Sequence, residues 1–283
     1  MAVLHQFARR LERLGALDSV AAPVARAVGR VVRPRPVRNL LSGTNLGHPL
    51  HPVLTDLPIG AWTMSVLLDT VGGRSAEPAA DLLVAAGIAT AVPTAATGLN
   101  DWSDTYGEAR RVGLVHAGAN VTALTLYVAS LLARRAGNRR FGKALGMVGF
   151  GALLAGGYLG GHLAYVKAVN VNHTAFEDHP AEWTPVIADS ELREGEHRRV
   201  LAADTPVLLC REAGDVLALG STCSHMGGPL DEGKIDDGCV TCPWHGSTFA
   251  LADGHIVRGP ATTPQPSYET RVRDGQIEVR ARQ

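Results

Sequence analysis

The sequence predicts an all-α four-helix transmembrane bundle followed by a small all-β sandwich or barrel domain. The apolar residues concentrate before residue 167, in four stretches that are each close to the roughly 20 residues needed to cross a bilayer core. Beyond Trp183 the pattern changes to short β-prone runs, separated by turns that contain Asp-Gly. A length of 283 residues allows about two domains, and the balanced net charge gives no indication of nucleic-acid binding.

The chain is predicted to have four parts along its length. They are a basic amphipathic N-terminal segment (1–46), the four-helix transmembrane domain (47–167), a polar linker (168–181) and the β domain (182–283). In the first part, Leu4, Phe7, Leu11 and Leu14 recur at helical spacing with charged residues between them. Such a helix either lies at a membrane surface or packs on its own domain, and the sequence leaves both interpretations open.

Four apolar stretches follow the N-terminal segment. They cover residues 53–73, 82–100, 112–133 and 144–166. The last three contain no Asp, Glu, Lys or Arg, and charged residues collect in the connections between them. A soluble helical bundle would show polar faces at 3.6-residue spacing, which these stretches lack. We therefore predict four membrane-spanning helices, with membrane lipid as their surroundings.

Several ionisable residues fall inside or beside these stretches, where they are costly and suggest function. They are His48, His51, Asp56, His116 and His162. The histidines could together ligate a b-type haem or a transition metal, or could bind a quinone by hydrogen bonding. The alternative is structural, with His48, His51 and His162 at the membrane interface and His116 as a hydrogen-bond partner inside the bundle.

The β domain contains two cysteines and two histidines in a mixed arrangement. Cys223 and His225 form a C-x-H motif, and Cys242 and His245 form a C-x-x-H motif, with sixteen residues between His225 and Cys242. Thiolate and imidazole ligands together suit iron-sulfur chemistry or zinc, whereas magnesium and calcium prefer oxygen. A Cys2His2 zinc site usually carries its cysteine pair and its histidine pair on separate elements, so the mixed halves favour a [2Fe-2S] cluster.

The residues around both motifs resemble the two cluster-binding loops of the Rieske ferredoxin family. That family includes the ferredoxin-like subunits of ring-hydroxylating dioxygenases and of nitrite reductase, and its third loop resembles Gly259-Pro260-Ala261. The resemblance implies an all-β Rieske-type sandwich or barrel whose cluster ligands are Cys223, His225, Cys242 and His245. It also implies that the two histidines sit at loop tips near solvent. The helical part resembles a bacterial family of four-helix membrane domains of unknown function.

Departures from one branch of the family are informative. In the Rieske proteins of respiratory cytochrome bc complexes each loop carries a further cysteine, and these positions are Gly228 and Trp244 here, so that disulfide cannot form. Ser247 keeps the family's hydroxyl, but Phe249 replaces its tyrosine, which removes one hydrogen bond towards a sulfur and implies a low reduction potential. The residues expected to surround the cluster are Trp244, Gly246, Ser247 and Pro260.

The location follows from the remaining cysteines and from the basic residues. Cys210 and Cys239 are interpreted as strand residues without a disulfide, which fits a reducing compartment. An even number of spans places the N-terminal segment and the cluster domain on the same side of the membrane. The extra N-terminal arginines then favour the cytoplasmic side of a bacterial inner membrane.

A cluster with four protein ligands moves single electrons and has no open position for a substrate. The β domain offers no two-histidine, one-carboxylate iron site of the kind that oxygenases use, and we assign no catalytic residue. The sequence therefore predicts a membrane-anchored electron carrier whose partners are a reductase and an oxidase or oxygenase. The alternative is a membrane oxidoreductase in which the helical domain binds haem or quinone and exchanges electrons with the cluster.

Overall fold

A computed structural model describes residues 3–282 of the chain. The chain divides into two compact units. The first contains the residues up to Arg33 together with Leu50–Val169, and the second contains Pro34–Pro49 together with the residues from Asn170 onward. The N-terminal segment is therefore divided between the two units, because its last part packs with the β domain.

Helices dominate the first unit. Within residues 3–282 the α-helices are α1 (Val3–Arg13), α2 (Asp18–Val31), α3 (Arg35–Ser42), α4 (Leu50–Val71), α5 (Glu77–Ser103), α6 (Gly107–Arg135) and α7 (Arg139–Tyr165). Of these, α3 belongs to the second unit. The four long helices α4 to α7 cover the four predicted apolar stretches and form antiparallel neighbours joined by short connections.

Three of the described helices are long and apolar enough to cross a membrane, rather than the four that the sequence predicts. They are Arg74–Ser103, Gly107–Arg135 and Arg139–Tyr165. In the most apolar 18-residue segment of each helix, only 22–28% is buried inside the protein. The remaining apolar surface requires lipid around it to be shielded from water. The remaining long helix, α4, has the predicted length but is not one of these three, and it contains Asp56 and Asp69.

Aromatic stacking and ion pairs hold the bundle together. Trp62 of α4 stacks on Tyr127 of α6 with 4.2 Å between ring centroids, and a side chain at Gly87 would collide with that indole. Arg134 of α6 pairs with Asp69 of α4 and with Asp81 of α5, and its side chain is almost fully buried. A buried arginine is costly unless it is paired, so these contacts fix how the helix ends meet.

Helix α1 packs on its own domain, one of the two alternatives that the sequence left open. Leu11 is buried against Val112 of α6 and Leu159 of α7. The neighbouring Leu4 and Phe7 remain exposed, with 57% and 48% of their surface accessible. One face of α1 therefore packs on the bundle, and exposed apolar residues lie beside it.

The second unit is built from antiparallel β-strands. They are β1 (Thr184–Ala188), β2 (His197–Ala202), β3 (Thr205–Glu212), β4 (Asp215–Gly220), β5 (Lys234–Asp236), β6 (Cys239–Thr241), β7 (Thr248–Ala250), β8 (Ile256–Arg258), β9 (Ser267–Arg273) and β10 (Gln276–Ala281). One sheet has the order β1-β10-β9-β4-β3-β2 and the other the order β5-β6-β7-β8. This arrangement confirms the predicted all-β domain.

Two clusters of buried side chains form the core of the β domain. One includes Leu208, Phe249 and Leu251, and it extends to Cys223 and Cys242. The other joins β2, β3, β9 and β10 through residues that include Val207 and Ile277. Because both motif cysteines belong to the first core cluster, the rest of the β domain holds the two motif loops in fixed positions. All four cysteines are free, as the sequence predicts for Cys210 and Cys239.

Most of the segment predicted as a linker, from Asn170 onward, belongs to the second unit and contacts the β domain. The backbone N–H of His173 donates to the carbonyl oxygen of Ser224 at 3.0 Å, and Nδ1 of His179 lies 2.7 Å from the Tyr268 hydroxyl. The carbonyl oxygen of Pro180 accepts from Ala281 N–H at 2.8 Å. These contacts involve backbone and single polar groups, which the polar composition of the segment alone could not place.

Candidate functional site

The two cysteine-histidine motifs lie on two loops with the same backbone arrangement. The first loop (Cys223–Gly228) follows β4, and the second loop (Cys242–Ser247) joins β6 to β7. In each loop the cysteine N–H donates to the carbonyl five residues later, at 2.8 Å, and its carbonyl accepts from the N–H four residues later. That fourth residue is a glycine with φ +74° in both loops, Gly227 and Gly246.

The two cysteine sulfurs meet between the loops. Both side chains are buried, and the Cys223 thiol donates a hydrogen bond to the sulfur of Cys242. This bond lowers the pKa of Cys242 to about 7 and, together with burial, raises the pKa of Cys223. Backbone N–H groups of Trp244 and His245 also point at the Cys242 sulfur. Such donors stabilise a thiolate, which is the form that binds metal.

The two histidine rings also meet, on the other side of the site. Their centroids are 5.1 Å apart with perpendicular planes. Burial lowers the pKa of His225 well below its ordinary value, with smaller contributions from the charges of His245, Arg38 and His173. The ring is therefore neutral, the form that ligates metal. Its Nδ1 atom is buried without a hydrogen-bond partner, which fits a nitrogen that donates its lone pair to a metal.

Exposure distinguishes the two histidines, and one sequence expectation is wrong. His225 is only 7% exposed and does not lie at the solvent surface, whereas His245 is partly exposed. The neighbouring Trp244 is 53% exposed, and its ring lies 6.3 Å from that of His245. Other segments of the β-domain unit, remote in the chain, cover the first histidine but leave the second open.

The pairing of sulfur with sulfur and of ring with ring fits a two-iron cluster better than a zinc ion. In a [2Fe-2S] centre of mixed ligation, two thiolates hold one iron and two imidazoles the other. A tetrahedral zinc would place all four ligands around one point. The donor set present in the site therefore fits the [2Fe-2S] cluster and supplies two soft and two borderline ligands.

The structure shows which atoms surround Gly228 and Ser247, two positions that the comparison with the respiratory branch singled out. A Cβ atom at Gly228 would lie 2.8 Å from the Cys242 sulfur and 3.1 Å from the Trp244 ring, so the glycine leaves space that the site needs. The buried Ser247 hydroxyl accepts a hydrogen bond from Ala261 N–H at 3.0 Å, which connects the second loop to the third. Pro260 follows a cis peptide bond in that third loop.

Two side chains that the sequence analysis missed brace the motif loops. Oε1 of the buried Gln265 accepts from Ser224 N–H at 3.0 Å, and its Nε2 donates to the Gly220 carbonyl at 2.8 Å. Arg258 donates from Nη1 to the carbonyls of Gly246 at 2.7 Å and Gly259 at 3.0 Å. Neither residue belongs to a motif, and no local pattern in the sequence indicates these roles.

A further contribution comes from residues 34–49, which we name the cap. Oδ1 of Asn39 accepts from Gly259 N–H at 2.8 Å, and the Thr44 hydroxyl donates to the Ala261 carbonyl at 3.1 Å. Ser42 and Pro49 line a small cavity that reaches His225. The cap therefore covers the first histidine, although at least 176 positions separate the two in the chain.

Of the five candidate residues in the helical domain, the structure brings only two together. The rings of His51 and His116 are 6.5 Å apart, and their Nδ1 atoms lie 3.0 Å and 2.8 Å from the carbonyl oxygens of Thr94 and Gly156.

The other three candidates have different surroundings. His162 bonds to Glu12 of α1 at 2.9 Å, and Asp56 is exposed. Within residues 3–282, Asp56 pairs with neither His51 nor His116. His48 is exposed and belongs to the unit of the β domain. A site formed by His51, Asp56, His116 and His162 together is therefore not present among the described residues of the first unit.

Comparison with known proteins gives two family matches. Residues 182–269 match the model described as Rieske [2Fe-2S] domain, and residues 47–173 match the model described as Predicted membrane protein (DUF2231). The chain is 36% identical over 99 residues to the anthranilate 1,2-dioxygenase ferredoxin subunit of Burkholderia cepacia, covering 35% of this chain and 92% of that protein.

Further matches concern the same region. Apoptosis-inducing factor 3 of Mus musculus is 32% identical over 91 residues, which are 32% of this chain and 15% of that protein. Among solved structures, a complex of reduced oxygenase and oxidized ferredoxin in carbazole 1,9a-dioxygenase matches with 29% identity and a TM-score of 0.34. It covers 36% of this chain and 98% of the matched one.

Proposed function

Because this chain belongs to the Rieske [2Fe-2S] family and carries a DUF2231 membrane domain, we propose that it is a membrane-anchored carrier of single electrons. Cys223 and Cys242 hold one iron of the cluster, and His225 and His245 hold the other. The observation that carries this proposal is the meeting of the two loops, sulfur against sulfur and ring against ring. The cluster supplies one-electron redox chemistry when it is bound.

The surrounding residues give that role its physical basis. Backbone N–H groups directed at the sulfurs stabilise thiolate charge, and the first loop is held rigid by Gln265. A rigid site changes little in geometry between oxidation states, which favours rapid electron transfer. Partly exposed His245 gives electrons a short path to a partner at the surface.

The partners are proteins that give or take single electrons. The ferredoxin subunit of anthranilate 1,2-dioxygenase, by its name, serves an oxygenase, and that relationship supports a reductase as donor and an oxidase or oxygenase as acceptor. The helical domain keeps the carrier at the membrane, beside lipid and beside any partner that is itself embedded there.

We further propose that all four long helices span a bacterial inner membrane, with the cluster domain in the cytoplasm. Free cysteines and the basic N-terminal helices support this orientation. A membrane-impermeant maleimide on intact cells should fail to label Lys234→Cys in the cluster domain and should label Arg135→Cys at the end of α6. Labelling of the first variant in intact cells contradicts the orientation.

The test of the electron-carrier role is a redox titration of the detergent-solubilised protein, followed by EPR and visible absorption together. A one-electron titration of a Rieske signal is the expected outcome. A purified protein that binds iron but gives no Rieske signal contradicts the proposal, because two histidine ligands on one iron produce that signal.

A second candidate function is supported by the pair His51 and His116. Each ring is held at Nδ1 by a backbone carbonyl, so Nε2 is the nitrogen that a ligand would use, and the Asn120 amide nitrogen lies 3.3 Å from Nε2 of His116. If one metal ion lay between the two rings, the distance between ring centroids would be the sum of two metal–nitrogen bonds of about 2.0–2.1 Å and two distances from nitrogen to ring centre. That sum is comparable to the 6.5 Å between the centroids of His51 and His116. Under this alternative the helical domain binds haem b, quinone or a transition metal and exchanges electrons with the cluster.

The same titration distinguishes the two candidates. Haem bands that titrate beside the Rieske signal, and that disappear in His116→Ala but persist in His48→Ala, support the oxidoreductase. A Rieske signal alone, with no haem, additional metal or quinone recovered from the purified protein, supports the electron carrier whose helical domain serves only as an anchor.

A further inference from the structure

The cap (34–49) closes one side of the cluster site with a segment from the other end of the chain. Three hydrogen bonds attach it. The Asn39 side chain accepts from the N–H of Gly259 and donates to the carbonyl of Val257, and the Thr44 hydroxyl donates to the carbonyl of Ala261. A Cβ atom at Gly259 would lie 2.5 Å from the Thr44 hydroxyl, which shows how closely the two segments approach. The cap is therefore a fixed part of the wall around the site.

Arg38 lies on the inner face of this cap. It precedes Asn39 on α3, and residues four apart on a helix share a face, so Arg38 and Ser42 point the same way. Both are buried, with 3% and 2% of their surface exposed, and Ser42 lines the cavity that contains His225.

A buried cation at this place acts on the electron that the site accepts. Reduction adds one negative charge to the cluster, and a positive charge nearby stabilises the reduced state. The effect is stronger than at the surface because burial weakens screening by water and salt.

We propose that Arg38 raises the reduction potential of the cluster by placing a buried positive charge on the face of α3 from which Ser42 lines the cavity of His225. This inference rests on the proposed function and deepens it. It also revises one sequence expectation, because Phe249 in place of tyrosine lowers the potential whereas Arg38 raises it. The cap thus makes the potential depend on a residue far outside the cluster-binding motifs.

The test compares three variants of the full-length, detergent-solubilised protein by EPR-monitored redox titration. Arg38→Gln should lower the ratio of reduced to oxidised cluster at a fixed applied potential by about tenfold, which is 59 mV for one electron. Arg38→Lys keeps the charge and should change that ratio less than about twofold. The control Arg35→Gln removes an exposed charge from the same helix and should also leave the ratio within about twofold.

Two outcomes overturn the proposal: an unchanged potential in Arg38→Gln, or an equal shift in Arg35→Gln. If Arg38→Gln assembles no cluster, Asn39→Ala loosens the cap at Gly259 and should lower the potential, and an unchanged potential there also overturns it. Failure of the proposed function looks different, since the wild-type protein would then lack the Rieske signal altogether.

Discussion

The two cluster loops have the same backbone and opposite surroundings. The first loop lies beneath the cap and the segment around His173, and its histidine is 7% exposed. The second loop carries Trp244, 53% exposed, beside a partly exposed His245. The loops share the backbone arrangement that brings a cysteine and a histidine to the site, whereas the surroundings give the two histidines different access to solvent.

The largest expected effect tests what the two loops have in common. His225→Ala and His245→Ala should each abolish the Rieske EPR signal and visible spectrum, because each removes one of the two imidazole ligands of the same iron. The control is His255→Ala, which changes an exposed histidine paired only with Asp253 and should leave the spectrum intact. An unchanged spectrum in His225→Ala would show that the ligand assignment is wrong for the first loop.

An intermediate effect concerns how the first loop is held. Gln265→Leu leaves the N–H of Ser224 and the carbonyl of Gly220 buried without their partner, at a cost of about 1–3 kcal/mol of stability. The cluster absorbance should therefore disappear at a lower temperature than in the wild type. Gln276→Leu, at an exposed strand position, serves as the control and should change stability by less than about 0.5 kcal/mol.

If Gln265→Leu and Gln276→Leu lost the cluster absorbance at the same temperature, the bracing role of Gln265 would be contradicted. The second loop offers an independent check, because Arg258 holds it through Gly246 and Gly259. If bracing is general to both loops, Arg258→Met should also lower the temperature at which the cluster is lost.

The features of this protein that the sequence predicts correctly depend on residues close together in the chain. The spacing of Cys223, His225, Cys242 and His245 identifies the candidate ligands, because each half lies within one short loop. The apolar stretches likewise predict α4 to α7, since helix periodicity and hydropathy are properties of neighbouring residues.

The features that escape prediction depend on contacts between distant segments. The burial of His225 depends on Ser42 and Pro49, and the support of the first loop depends on Gln265. A short helix such as α3 has the same composition whether it lies in solvent or on a metal site. The convergence of His51 and His116, without His48 and His162, similarly requires the packing of the helices.

The smallest expected effect tests whether electrons leave through the second loop. Ferricyanide is a small anionic oxidant, so a negative charge beside the exit slows its reaction by repulsion. Trp244→Glu should lower the rate of cluster oxidation about threefold to tenfold at low salt, and the difference should fade at high salt as screening increases. Leu40→Glu places the same charge on the exposed surface of the cap and should change the rate less. Each rate is compared at the measured potential of that variant. An equal slowing in both variants would mean that the cap is no barrier and that the two loops offer equivalent routes for the electron.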